Sequence, residues 1–333
     1  MSGAAWRRVG RAALGLAVLL AVMIGVDRAA IGDRLGQASF VLVVVGVLGL
    51  AVVHAVPAGG WRAILGTTTG VWLPWRSALG LYYAAQAIGG VTPANFGGDV
   101  HRAATLRGSG HGWSVAVAPL IVQRATSYLA LSGLSLIALA VLAADADLAG
   151  TLVAIGGAFA GVVGLGAWLL LAPPGPLRGG HARLVRLVGG TEEPGGGRVN
   201  DLGAATMTGL LTGVGFHAIS IGLTWLLVLA VDPGAPAAPV LGALTVARLS
   251  LAVPITPSGL GIQEGALAFL FASLGLAPDA ALAAMLFARL SLLLTTGVGV
   301  ALLLLRPGPS VPRGVEGGMP RAASPGDPSH RAG

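Results

Sequence analysis

Two short stretches interrupt an otherwise apolar chain in the same way. The first runs Val-Thr-Pro-Ala-Asn-Phe-Gly-Gly-Asp-Val-His-Arg from Val91 to Arg102, and the second runs Ile-Thr-Pro-Ser-Gly-Leu-Gly-Ile-Gln-Glu from Ile255 to Glu264. Thr92-Pro93 is followed four residues after the proline by Gly97, Thr256-Pro257 is followed at the same interval by Gly261, and an acid comes next in each, Asp99 or Glu264. Arg124 then lies 31 residues beyond Pro93, and Arg289 lies 32 residues beyond Pro257. Proline removes a backbone donor and glycine weakens a helix, so each stretch predicts a helix break whose freed polar groups need partners. In a bilayer such a break persists only inside protein or against a wet cavity. The chain reads as two diverged copies of one unit, each a broken or re-entrant helical hairpin. Pro93, Gly97 and Gly98 form the first hairpin, and Pro254, Pro257, Gly259 and Gly261 the second.

The surroundings of these breaks exclude a soluble domain. Of 333 residues, 55% are hydrophobic and 10% charged, with a mean hydropathy of +0.83, which predicts an all-α polytopic membrane protein. The formal charge of +7 comes from 20 arginines with no lysine, and it is explained by cytoplasmic loops rather than by nucleic acid. Without cysteine there is no disulfide framework and no thiolate chemistry. The six histidines are scattered without metal-ligand spacing, and no Walker loop or nucleophile elbow occurs. The reading is therefore of a protein that is not an enzyme and needs no cofactor or metal.

In chain order, residues 1–11 are a basic cytoplasmic N-terminus, and 12–26 is an uncleaved first span. Asp27, Arg28, Asp33 and Arg34 mark a short loop before a second span, 38–56. Trp61-Arg62 and Trp75-Arg76 flank the next loop, pairing ring and cation as at a membrane interface. Further spans are predicted over 113–143, 148–172, 203–231 and 280–305. Residues 173–202, rich in Gly and Pro, form a cytoplasmic linker, and 306–333 read as a disordered cytoplasmic tail. The repeat motifs fall near 77–143 and 240–305.

With both termini cytoplasmic, 15 arginines fall inside and 2 outside, and Arg124, Arg248 and Arg289 remain at membrane depth, a bias that fixes orientation. The first break then enters from the cytoplasm and the second from the exterior. Two inverted repeats with broken segments are a construction used by alternating-access transporters.

Pro93, Gly97-Gly98-Asp99, Arg102 and Arg124, followed by Pro254, Pro257, Gly259-Leu260-Gly261, Glu264 and Arg289, resemble the flippase-like membrane domain of lysylphosphatidylglycerol synthase/flippase proteins and their stand-alone relatives. The similarity runs over roughly residues 10–305, so residues 12–305 are taken as one flippase-like transmembrane domain. It implies a multi-pass protein of a bacterial or archaeal inner membrane that moves a phospholipid or polyprenyl-linked lipid between leaflets. No soluble transferase domain follows the last span, so the resemblance does not imply lysyl transfer and leaves the lipid open.

Charges at bilayer depth cost about 2.5 to 3.5 kcal/mol each on insertion scales and normally face a cavity or a partner. Arg124, Arg248 and Arg289 oppose Asp99 and Glu264, an excess of one positive charge suited to an anionic phosphate. The acids hold the guanidinium groups and hairpins or take a cationic part of the headgroup, and backbone N–H groups at Gly97, Gly98, Gly259 and Gly261 add donors.

Each residue also has a structural reading. Arg124 and Arg289 suit closed buried pairs that fix helix register. Asp99 suits a cap on a short helix beginning near Val100, and Arg102 suits a side chain snorkelling to the cytoplasmic interface. Arg248 has no counterpart in the first copy, where Ala84 stands. Tyr82, Tyr83 and Gln86 suit either a cavity wall or aromatic packing, while His54 and His217 are read as packing residues rather than proton relays.

Three rival functions stand beside transport. The first is a non-transporting partner or scaffold of a separate envelope enzyme. The second is a lipid-modifying transferase, for which Asp145 and Asp147 are a close acidic pair. The third is a carrier of a small soluble anion.

Overall fold

The computed structural model describes residues 27–92, 95–143, 156–166, 201–252, 256 and 258–305. The expected span 12–26, most of 148–172, nearly all of the linker 173–202, the tail 306–333 and Pro93, Pro254 and Pro257 lie outside the described residues. All regular structure among the described residues is helical. In order these are α1 (Arg28–Gly36), α2 (Phe40–Val52), α3 (Ala55–Thr69), α4 (Trp75–Gly90), α5 (Phe96–Gly108), α6 (Trp113–Ala143), α7 (Gly156–Gly166), α8 (Leu202–Val231), α9 (Ala237–Arg248), α10 (Ile262–Ser273) and α11 (Pro278–Leu305).

Four helices are long and apolar enough to cross a membrane: Phe40–Thr69, which joins α2 and α3, with α6, α8 and α11. At 30 residues, Phe40–Thr69 has a length of about 45 Å against a hydrocarbon core of about 30 Å. The segment after residue 56 is therefore helix, not the loop expected there. Pro57 falls in the first turn of α3, where its missing donor costs nothing. The run Thr67-Thr68-Thr69 is helical, with each hydroxyl satisfied by a carbonyl one turn back, Ala63, Ile64 or Leu65, at 2.9, 2.6 and 2.6 Å. Trp61 is fully buried rather than interfacial. The turn comes at Gly70, left-handed at φ 76°, where Arg62 reaches across to the Leu73 carbonyl at 2.6 Å.

The expected loop around Asp27 and Arg34 is likewise a helix. Asp27 caps α1 by accepting from the Ala29 N–H at 2.9 Å. Arg34 pairs with Asp279 at the start of α11, donates to the Val231 carbonyl at 3.1 Å, and lies 3.7 Å from Asp232. The end of α8 and the start of α11 are thus tied together through α1.

α8 packs against α2, α3 and α6. Small residues permit the approach: a Cβ on Gly60 would lie 2.5 Å from Thr212 Oγ1, and one on Gly209 would collide with Thr126 Oγ1. Without a hydrophobic drive between helices in lipid, such close contact is what holds them together.

Between these helices sit two hairpins, α4 with α5 and α9 with α10. One apolar cluster gathers Trp61 and Leu65 of α3, Ala78 of α4, Leu106 of α5 and Ala116 of α6. The open end of the first hairpin is therefore beside the C-terminal end of α3. A second cluster gathers Val231 of α8, Val240 of α9, Phe271 of α10 and Ala280 of α11, placing the open end of the second hairpin there.

Candidate functional site

Each hairpin tip is closed by its own polar atoms. In the first, Thr92 Oγ1 donates to the Gly89 carbonyl at 2.8 Å and accepts the Gly97 N–H at 2.9 Å. Asn95, left-handed at φ 57°, starts α5 at Phe96. Asp99 therefore lies in the first turn of α5 rather than capping a helix near Val100. Gly98 packs so closely on α4 that a Cβ would collide with the Ala85 carbonyl oxygen. In the second tip, a 3-10 turn (Leu249–Ala252) leaves α9, and Ser258, Gly259 and Gly261 take φ values of 47°, 67° and 80°.

The backbone donors expected to bind an anion are engaged internally. Besides the Gly97 bond to Thr92, Gly98 N–H donates to the Asn95 carbonyl at 3.1 Å and Gly259 N–H to the Thr256 carbonyl at 3.4 Å. Gly261 N–H donates to Glu264 Oε2 at 2.8 Å.

The tips meet each other: Ser258 Oγ donates to the Gly90 carbonyl at 3.0 Å across 168 residues of sequence. On either side of this contact stands an acid–arginine pair. Arg124 of α6 donates to Asp99 Oδ2, and Arg289 of α11 donates through Nε to Glu264 Oε1 at 2.6 Å. In each pair the arginine follows its acid by 25 residues.

The first pair is larger than the second. Asp99 Oδ1 also accepts from Arg102 Nη2 at 2.5 Å, and Arg102 Nη1 donates to Gln123 Oε1 at 2.9 Å. Gln123 Nε2 in turn donates to the Pro57 carbonyl at 2.6 Å, so α3, α5 and α6 share one network. The Arg102 guanidinium lies between Trp61 and Tyr82, 5.1 and 5.0 Å from their ring centroids, and Arg124 lies 4.6 Å over Phe96. Arg102 is buried and does not snorkel. Three residues after Glu264, where Arg102 would have its equivalent, stands the buried Leu267.

These groups border a cavity of about 350 Å³, lined by Asp99, Arg102, Arg124, Arg248 and Arg289, with Glu264 buried behind. Arg102 raises the expected excess from one positive charge to two, since four arginines face two carboxylates. Arg248, which sequence gave no counterpart, lies in the cavity wall and joins no ion pair among the described residues.

Tyr82 and Gln86 line the cavity too, whereas Tyr83 turns away to donate to the Ala51 carbonyl at 2.8 Å. His54 and His217 pack on Phe216 as expected, with centroids 5.8 and 5.2 Å from it, but also border the cavity. Sequence reasoning missed Gln123 as the bridge between Arg102 and α3. Its position beside Arg124 inside an apolar run was the available signal. Among the described residues no cluster has the make-up of a metal site.

Fold and site together define a class: a helical membrane protein whose crossing helices enclose two broken hairpins around a charged cavity. The chain belongs to the family of the lysylphosphatidylglycerol synthase TM region, whose profile matches residues 9–299. No curated protein matches the chain.

Proposed function

We propose that the chain is a flippase-like transporter, not an enzyme, which moves a phospholipid or polyprenyl-linked lipid headgroup between leaflets of the plasma membrane, with both termini cytoplasmic. The observation that carries this reading is the cavity at the junction of the two tips, bordered by paired charges and walled by helices of membrane-crossing length. A headgroup needs such a polar chamber, while its acyl chains remain in lipid.

We read the hairpins as inverted repeats. Support comes from their open ends: one packs at the Thr69 end of the Phe40–Thr69 helix, and the other lies near its Phe40 end, where Ser39 N–H donates to the Ala230 carbonyl at 2.9 Å. Rocking of one hairpin against the other across the Ser258–Gly90 contact would open the cavity to each leaflet in turn.

The test is leaflet sidedness of fluorescent anionic, zwitterionic and polyprenyl-linked lipids in liposomes carrying the purified chain. Acceleration for one lipid class, lost in the Arg124→Gln/Arg289→Gln double variant, is the expected result. Failure with every lipid would turn the reading toward a scaffold for a separate envelope enzyme.

A further inference from the structure

Of the four arginines on the cavity, three are held in ion pairs with Asp99 or Glu264. Arg102 is taken by Asp99 and Gln123, Arg124 by Asp99, and Arg289 by Glu264 and the Ser258 carbonyl. Arg248 makes no side-chain hydrogen bond or ion pair among the described residues, although it lines the cavity. A plain structural role would be to neutralise the C-terminal carbonyls of α9, in whose last turn it lies. Those carbonyls receive no hydrogen bond from its guanidinium. An unpaired guanidinium in a membrane interior is costly unless a ligand or water completes it.

Four hydroxyls of the uncharged wall have a definite polarity as well. The hydroxyls of Thr212, Ser220, Thr224 and Ser291 donate to backbone carbonyls three or four residues back, at 2.6 to 2.8 Å. Having spent their protons, they offer the cavity acceptor lone pairs only. The Gly97, Gly98, Gly259 and Gly261 amides are engaged too, so an anion entering here finds at Arg248 a charged donor without a partner among the described residues, and a group rich in O–H donors finds acceptors around it.

Building on the transport reading, we propose that Arg248 is the docking residue for the phosphate of an anionic headgroup carrying hydroxyls, and that Arg124 and Arg289 hold the hairpins rather than the substrate. The excess of two positive charges disfavours a cationic headgroup, and a quaternary ammonium has no proton to give the hydroxyls.

Thermal unfolding of the full chain in detergent, titrated with dihexanoyl phosphatidylglycerol, dihexanoyl phosphatidylcholine or inorganic phosphate, tests this. Phosphatidylglycerol raises the midpoint of the wild type and phosphatidylcholine does not. Arg248→Gln weakens the apparent affinity for phosphatidylglycerol by about tenfold or more, and Arg248→Lys by less. Ligand-free Arg248→Gln unfolds no earlier than wild type, since no partner among the described residues is orphaned, whereas Arg289→Gln unfolds earlier.

Protection by inorganic phosphate equal to that by lipid would support the Arg248 anion site while overturning its assignment to a headgroup. An Arg248→Gln variant that responds to phosphatidylglycerol as wild type does overturns the proposal. Parallel flipping assays separate the two readings. Binding through Arg248 without lipid movement sinks transport alone, and full-rate movement by Arg248→Gln sinks the docking role alone.

Discussion

Arg289 reaches back 25 residues to Glu264, with Nε 2.6 Å from Oε1, and its Nη1 donates to the Ser258 carbonyl at 3.1 Å. One side chain of α11 therefore grips both the acid and the tip of the second hairpin. Glu264 is fully engaged from the other side, since its Oε2 caps α10 through the Gly261 N–H. Removing either partner leaves a buried charge uncompensated.

Arg289→Gln is accordingly expected to destabilise the chain by roughly 3 kcal/mol or more. The Glu264→Gln/Arg289→Gln double variant should lose less than the sum of the single losses. Thermal unfolding in detergent, run as a double-mutant cycle, measures the coupling, and additive losses would show that the two groups act separately.

Two glycines provide a steric test with an internal control. A Cβ at Gly299 would collide with the Tyr83 carbonyl oxygen, as one at Gly98 would with that of Ala85, so both alanine variants must push α4 away from its neighbour. A Cβ at Gly297 meets nothing within 4 Å. Gly297→Ala should unfold at or slightly above the wild-type temperature, whereas Gly98→Ala and Gly299→Ala should unfold earlier and lose any transport activity.

Gln123→Leu removes the bridge between Arg102 and the Pro57 carbonyl. Losing both bonds should cost about 1 to 3 kcal/mol and loosen α3 from α5 and α6. Faster hydrogen exchange across residues 55–69 and 96–108, compared with wild type, is the expected signature.

The absence of cysteine from the chain makes the tip contact directly testable. A Cβ on Gly90 would lie 3.8 Å from Ser258 Oγ, within the range of a disulfide after small adjustment. In a Gly90→Cys/Ser258→Cys variant, mild oxidation should form a cross-link that arrests lipid movement and that a reductant reverses. A cross-linked protein that still moves lipid at full rate would exclude rocking at this contact.

Much of this arrangement was legible in sequence because lipid imposes few solutions. Long apolar runs had to be helices, and Asp99, Arg124, Glu264 and Arg289 could not stand at that depth without partners. The helix from Ala55 to Thr69 was not legible, because Gly59-Gly60, Pro57 and three threonines read locally as a loop. Packing of α8 against Gly60 overrides that preference, with the hydroxyls satisfied by preceding carbonyls. Arg102 could be read both as a site residue and as a side chain snorkelling to the interface, and only the fold brings it to the cavity with Trp61 and Tyr82 to either side. That Arg248 lines the cavity without an ion pair among the described residues is visible only once its neighbours are in place.

The spacing of the two acid–arginine pairs bears on how the chain is made. Each acid finds its arginine 25 residues downstream, whereas the tips touch across 168. During synthesis Asp99 can meet Arg124 as soon as α6 has left the ribosome, long before α10 and α11 exist. The acid of each hairpin thus meets its arginine locally, and the late step left to assembly is the docking of two preformed pieces, with α11 against α4 and tip against tip.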